Sequence, residues 1–136
     1  NPFDWFVSHF FWDVQKYHDS KRTNSTPKER RRFIVEECNS DFNLYLEKAT
    51  ERAAINPRYP FKWPSMKEFM TGVNFVGRFE NLQEDFDLIC NKIGVPTAKL
   101  PHAKKSKPRP HYSEFYNKKS VNIVYDLLRD DIDHFG

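Results

Sequence analysis

Asn1-Pro2-Phe3-Asp4-Trp5-Phe6-Val7-Ser8-His9-Phe10-Phe11-Trp12-Asp13-Val14 opens the chain and sets its character. Phe3, Phe6, Val7, Phe10, Phe11 and Val14 recur at the three- and four-residue steps of a helix, which predicts a helix from residue 3 to about 17 with a wide apolar face. Pro2 at a helix start costs no backbone hydrogen bond, and Asp4 in the first turn complements the helix dipole. Ser8 then offers a hydroxyl donor near a helix end that favours anions. The aromatic stripe reads as core in preference to a ligand platform.

Working outward, Lys21 to Ser25 is a polar loop, and Thr26-Pro27 followed by Glu29 predicts a helix over about 27–38 with Thr26 as its cap. Ser40 is the expected cap of a further helix whose apolar positions are Phe42, Tyr45, Leu46, Ala49 and Ala53. Prolines interrupt the aromatic residues from Asn56 to Ser65, which forbids a regular helix and predicts an extended surface loop, either lining an acceptor site or packing its rings on the domain. Asn74 to Phe79, short and apolar around Gly77, is the strand candidate. Leu82, Phe86, Ile89, Cys90 and Ile93 share a helical face over residues 81–93, closed by Gly94 and Pro96. A basic loop follows, from Val95 to His111. The last helix is expected over about 117–135, capped by Asn117, with Val121, Val124, Tyr125, Leu128, Ile132 and Phe135 on one face that packs against the first helix.

The balance of residues narrows the function. Hydrophobic residues make up 38% and charged residues 30%, a lean supply for a self-sufficient core, so burial depends on 13 Phe, 6 Tyr and 3 Trp. A net charge of +3 suits a nucleotide or a nucleic acid without requiring either. With 4 Gly and no Gly-rich run, the sequence carries no phosphate loop. Cys38 and Cys90 have no metal-ligand spacing and read as reduced, helix-borne thiols. Glu36-Glu37 and Asp130-Asp131-Asp133 read as exposed helix charges, and no His/Cys/Asp cluster suits a metal. No run of about 18 apolar residues crosses a membrane, and no signal peptide is visible.

Three segments share a resemblance. Asn1-Pro2-x-Asp4 with Ser8 resembles the 3′-phosphate-binding segment of sulfotransferases that use 3′-phosphoadenosine 5′-phosphosulfate (PAPS), a family in which an Arg directly precedes the Asn-Pro and another commonly stands where this chain has Trp5. Asn74-Phe75-Val76-Gly77-Arg78-Phe79-Glu80-Asn81-Leu82-Gln83-Glu84-Asp85-Phe86 is similar to the strand-to-helix element of the carbohydrate-type members. Leu100-Pro101-His102, Lys105-Ser106-Lys107, Tyr112, Phe115-Tyr116 and Asp130 to Gly136 resemble their C-terminal loop and last helix, whereas residues 18–73 match nothing diagnostic.

The resemblance implies an α/β class: a three-layer domain with a parallel sheet and a phosphate-binding loop. Residues 1–136 would be a single partial domain, a C-terminal fragment starting inside the phosphate motif, itself mostly α-helical with one or two short strands. It further implies transfer of a sulfuryl group from PAPS to a hydroxyl acceptor, with carbohydrate among the candidates, and no metal. Ser8 would contact the nucleotide's 3′-phosphate. The loop before the last helix closes over the same phosphate in such folds, which makes Lys105, Ser106, Lys107 and Arg109 further nucleotide contacts, although a solvated lysine run is an equal reading. No catalytic base is assigned among His9, His18, His102, His111 and His134. Lacking the loop for the 5′-phosphosulfate, the fragment is expected to be inactive alone.

Two other functions fit the residues. Basic runs beside Phe61, Trp63, Tyr112 and Tyr116 would suit a small nucleic-acid binder. Alternatively, an exposed aromatic face or an open strand edge would drive self-association into a homo-oligomer. The compartment is cytoplasmic for a microbial source, with an upstream targeting segment left open.

Overall fold

The computed structural model describes residues 1–56, 65–101 and 108–135, so most of the proline-rich loop, with Phe61 and Trp63, lies outside them. The chain divides into two compact units, Asn1–Phe69 with Pro110–Gly136, and Met70–Arg109. Helices dominate, and the described residues contain no strand.

In the larger unit, α1 (Pro2–Arg22) runs past its expected end. Lys16 and Arg22 both pair with Asp19 three residues away, and two basic residues in the last turn complement the helix dipole. α2 (Glu29–Arg32) is short and starts after the expected cap. Lys28 is extended at ψ 148°, so the chain turns into the helix only after the proline, and Pro27 is buried with no Thr26 cap. Phe33–Glu37 then winds as a π turn in which Cys38 N bonds to Phe33 O at 3.1 Å. Asn39 and Ser40 follow at φ 51° and 56°, so Ser40 is spent on the turn. Asp41 caps α3 (Phe42–Ile55) in its place, accepting from Leu44 N at 2.8 Å.

The core forms where these elements meet. Phe6, Val7 and Phe10 of α1 join Phe33, Ile34 and Cys38 of the π turn and Phe42, Tyr45, Leu46 and Ala49 of α3. Phe10 lies edge-on to Phe42 at 5.3 Å between centroids and tilted to Tyr45 at 5.6 Å. Burial pushes the Cys38 thiol up to about 11, which keeps it protonated and unreactive. Cys90 is also a buried free thiol, in the other unit.

The predicted last helix is two helices, α6 (Lys118–Leu127) and α7 (Arg129–Phe135), separated at Leu128 with φ −122°. Asn117 caps α6 as expected, through a reciprocal bond with Ser120. Val124 and Leu128 are buried in the core, while Val121 and Tyr125 are about two-fifths exposed, so the inward face is rotated from the expected one towards Ser120. α6 packs chiefly on α3, and α1 on α2, the π turn and a 3-10 turn at Tyr112–Phe115, so the first and last helices share one core without being each other's main partner.

Asp131 is buried, contrary to its reading as an exposed charge. Its carboxylate accepts from the Ser65 hydroxyl at 2.6 Å and from Met66 N at 2.9 Å and Lys67 N at 3.0 Å, capping the single-turn α4 (Met66–Phe69). Burial raises its pKa, but these three donors outweigh that and leave it below the ordinary carboxyl value. Asp131→Ala is expected to cost about 1.5–3 kcal/mol, the range for hydrogen bonds to a charged group, and to speed amide exchange at Met66 and Lys67 before that of α3. Because the folded pKa is depressed, the same contacts are present above the unfolded value and lost as pH falls through the folded one.

In the smaller unit, α5 (Leu82–Ile93) ends at Gly94 in the left-handed region at φ 74°, as its sequence predicts. Gln83 holds the following segment by accepting from Leu100 N at 2.8 Å and donating to Ala98 O at 3.1 Å. The expected strand at Asn74–Phe79 is irregular and runs into a 3-10 turn, Phe79–Asn81. Arg78 N bonds to the Asp85 carboxylate at 2.6 Å, a local partner that takes a ladder donor out of play. The apolar side of this unit stays open, with Phe79 82%, Leu82 48% and Ile93 66% exposed.

Candidate functional site

The N-terminus of α1 is closed by its own residues. Asn1 Oδ1 accepts from Phe3 N at 2.9 Å and from Asp4 N at 3.4 Å, and Asn1 O accepts from Trp5 N at 3.1 Å. Pro2 has no amide to offer. The first-turn donors are therefore satisfied, and an anion here would be met by side chains.

Ser8 lies about 9–10 Å along the axis from the helix start, by the 1.5 Å rise per residue, so it belongs to the helix body and not to its end. It is half-buried on the outward side of α1, where Trp5 precedes it by three residues and Trp12 follows by four. His9 lies edge-on to both rings, at 5.5 Å from Trp5 and 5.9 Å from Trp12. Trp5 therefore presents an aromatic edge where a charge is common in the resembled family, and Trp12 is 49% exposed.

Beneath that face sits a carboxylate that sequence reasoning missed. Asp13 is 1% exposed, with Oδ1 3.1 Å from Arg31 Nε and Oδ2 2.6 Å from Arg30 and 3.4 Å from His9 Nδ1. The Oδ2 contacts lie outside hydrogen-bond angles, so Asp13 is held there by charge. Burial pushes the Asp13 carboxyl up, but His9 and the two guanidinium groups outweigh it and hold it below the ordinary range. Arg31 also lies over the Trp12 ring at 5.1 Å. The missed signal was the step Phe6, Phe10, Asp13, Tyr17, which puts an acid in register with the buried stripe, seventeen residues before a run of arginines that starts at Arg30.

The segment before α6 reaches the start of α1. Asn1 Nδ2 donates to the Tyr112 hydroxyl at 3.0 Å, and the Tyr116 hydroxyl donates to Phe3 O at 2.9 Å. The Tyr116 ring stands edge-on to Phe3 at 5.4 Å and to Phe42 at 4.9 Å, and burial raises its pKa. Asn43 of α3 fixes this segment from behind, donating to Phe115 O at 3.0 Å and accepting from Asn117 N at 3.1 Å.

Of the other expected contacts, Lys105, Ser106 and Lys107 lie outside the described residues, as does His102. Arg109 is half-buried and belongs to the smaller unit, whereas Ser8 belongs to the larger. His111 closes the turn at Tyr112–Phe115, its backbone N–H donating to the Glu114 carboxylate at 3.2 Å and its Nδ1 lying 2.8 Å from Ser113 Oγ. His18 and His134 are exposed. Among the described residues no group of three or more His, Cys, Asp or Glu side chains is placed to hold a metal, and no helix is long and apolar enough to cross a membrane. No protein-family model, no curated protein and no solved structure matches this chain.

Proposed function

We propose that this chain is part of a sulfotransferase that moves a sulfuryl group from PAPS to a hydroxyl, with carbohydrate as the candidate acceptor class, and that its share of the work is the 3′-phosphate side of the donor. The observation that carries this is the junction of Asn1 and Phe3 with Tyr112 and Tyr116. Both sides of this junction, more than a hundred residues apart, belong to the segments that carry the resemblance. In the transfer, the bond from sulfur to the phosphate oxygen breaks and one to the acceptor oxygen forms, leaving adenosine 3′,5′-bisphosphate. The acceptor proton passes to a base that these residues do not identify. The reading includes the three-layer α/β parent fold, whose parallel sheet would cover the open side of α5.

Calorimetric titration with adenosine 3′,5′-bisphosphate and with adenosine 5′-monophosphate tests it. The chain is expected to prefer the bisphosphate. Ser8→Ala is expected to weaken that ligand by about tenfold or more, the worth of a hydroxyl bond to a charged oxygen, and to leave the monophosphate unchanged. Equal binding of the two nucleotides by the unmodified chain would sink the proposal.

The exposed Phe79, Leu82 and Ile93 favour a second reading, association through the smaller unit. Sedimentation analysis decides it: a concentration-dependent dimer abolished by Ile93→Glu supports it, and a monomer at all concentrations removes it.

A further inference from the structure

We propose that the aromatic flank of α1, with the basic residues 28–32 beside it, is a docking surface for single-stranded nucleic acid. Bases stack on Trp12 and its neighbouring rings, and Arg30 with Lys16 follows the phosphates. The inference stands apart from the sulfotransferase reading and uses none of its nucleotide contacts.

The surface is continuous because each member touches the next. At about 100° per residue, Trp5, His9, Trp12 and Lys16 fall within about 60° of one another around α1, outside the arc that buries Phe6, Phe10 and Tyr17. His9 stands between the two indoles, its ring centroid 5.5 Å from Trp5 and 5.9 Å from Trp12. Arg30 Nη2 lies 3.3 and 3.4 Å from the His9 ring nitrogens, and the Arg31 guanidinium lies 5.1 Å from the Trp12 centroid. Two cations of α2 therefore border a row of three rings on α1.

Charge and ring exposure together select the partner. Residues 28–32 hold four cations against Glu29 alone, and the buried Asp13 offsets one more, so the α2 side stays positive. On α1, Lys16 and Arg22 outnumber the Asp19 carboxylate that both contact. Arg30, 32% exposed, reaches solvent while Asp13 holds it from behind, and its planar fork matches phosphate oxygens. Trp12 stays 49% exposed with Arg31 beside its ring, which leaves aromatic surface for a base. An acidic peptide would satisfy the cations but bring no flat ring to the indoles, and a duplex keeps its bases stacked on each other. A single strand offers both groups at once, and stacking on a side chain tolerates any base, so the surface reads strand form and not sequence.

Fluorescence anisotropy of a labelled oligothymidine of about twelve nucleotides, titrated with the whole chain over a range of salt, tests this, with circular dichroism to confirm folding of each variant. An abasic strand of the same length and a polyglutamate peptide of the same charge are the comparisons. The thymidine strand is expected to bind about tenfold more tightly than either. Trp12→Ala should weaken the thymidine strand by about tenfold, the worth of one stacked base, and leave the abasic strand and the salt slope unchanged. Arg30→Gln should weaken both strands and lower the slope of log K against log salt by about 0.7, the value for one phosphate on a single strand. Equal binding of the abasic strand or the peptide would mark a general polyanion patch and overturn the proposal. So would no binding at low salt, or a thymidine affinity that both folded variants retain, which would place the strand elsewhere on the chain. Should Arg30→Gln fail to fold, Lys16→Gln replaces it, at a side chain 43% exposed on the same arc, and unchanged affinity in it and in Trp12→Ala overturns the proposal.

Discussion

Replacing Asp13 by alanine is expected to cost about 3–5 kcal/mol of folding stability, the range for removing one partner of a buried ion pair. The size comes from what is left behind. Arg31, 13% exposed, and the half-buried Arg30 would both lose the carboxylate that they contact. Asp19 supplies the control, because its partners Lys16 and Arg22 are 43% and 77% exposed, and Asp19→Ala should cost less than about 1 kcal/mol. Urea denaturation of the two variants measures the difference, and equal midpoints would show that the Asp13 cluster is no anchor. The acid limb carries the same information. Asp13 titrates below its ordinary value in the fold, so its contribution is complete above about pH 4 and fades as pH falls through the folded pKa. Asp13→Asn should flatten that limb.

Phe10→Ala is expected to be as damaging, at about 3–5 kcal/mol, through the cavity it leaves. Phe10 is 2% exposed and touches rings from α1 and α3, namely Phe11, Phe42 and Tyr45. Collapse cannot fill that space cheaply, since Phe42 and Tyr45 are themselves fixed by Tyr116 and Phe33. Phe11→Ala, one residue along on a ring 37% exposed, should cost far less. Thermal unfolding of both separates a buried ring from a surface one, and similar losses would mean that α1 packs by another face.

Helical periodicity was the legible part of the sequence. The spacing of Phe6, Val7 and Phe10 and of Phe42, Tyr45, Leu46 and Ala49 names the core of the larger unit, because burial on a helix repeats with the turn. Gly94 and Asn117 were readable for a similar reason: their roles are local. What escaped was set by partners distant in sequence. Asp131 looks like any acid on a surface helix until Ser65, Met66 and Lys67 are brought to it. The strand at Asn74–Phe79 had the right composition, but among the described residues no neighbouring strand pairs with it, and Asp85 takes the amide of Arg78. Ser8 was readable as a candidate. The Asp13 cluster was not, since nothing in a run of arginines says which of them a buried carboxylate will hold.

The π turn at Phe33–Glu37 bears on how this chain tolerates change in length. Such a turn is an α-helix holding one surplus residue, and each residue added to a helix rotates everything beyond it by about 100°. Phe33 and Ile34 face the core while Arg30 and Arg31 stand over Asp13 because that rotation is absorbed here. A single-codon deletion within residues 33–37 would therefore leave helical propensity intact yet swing the preceding arginines away from α1 or the following phenylalanine of α3 out of the core. A one-residue gap at this point in a related gene would mark a lineage in which one of those two attachments had been rebuilt.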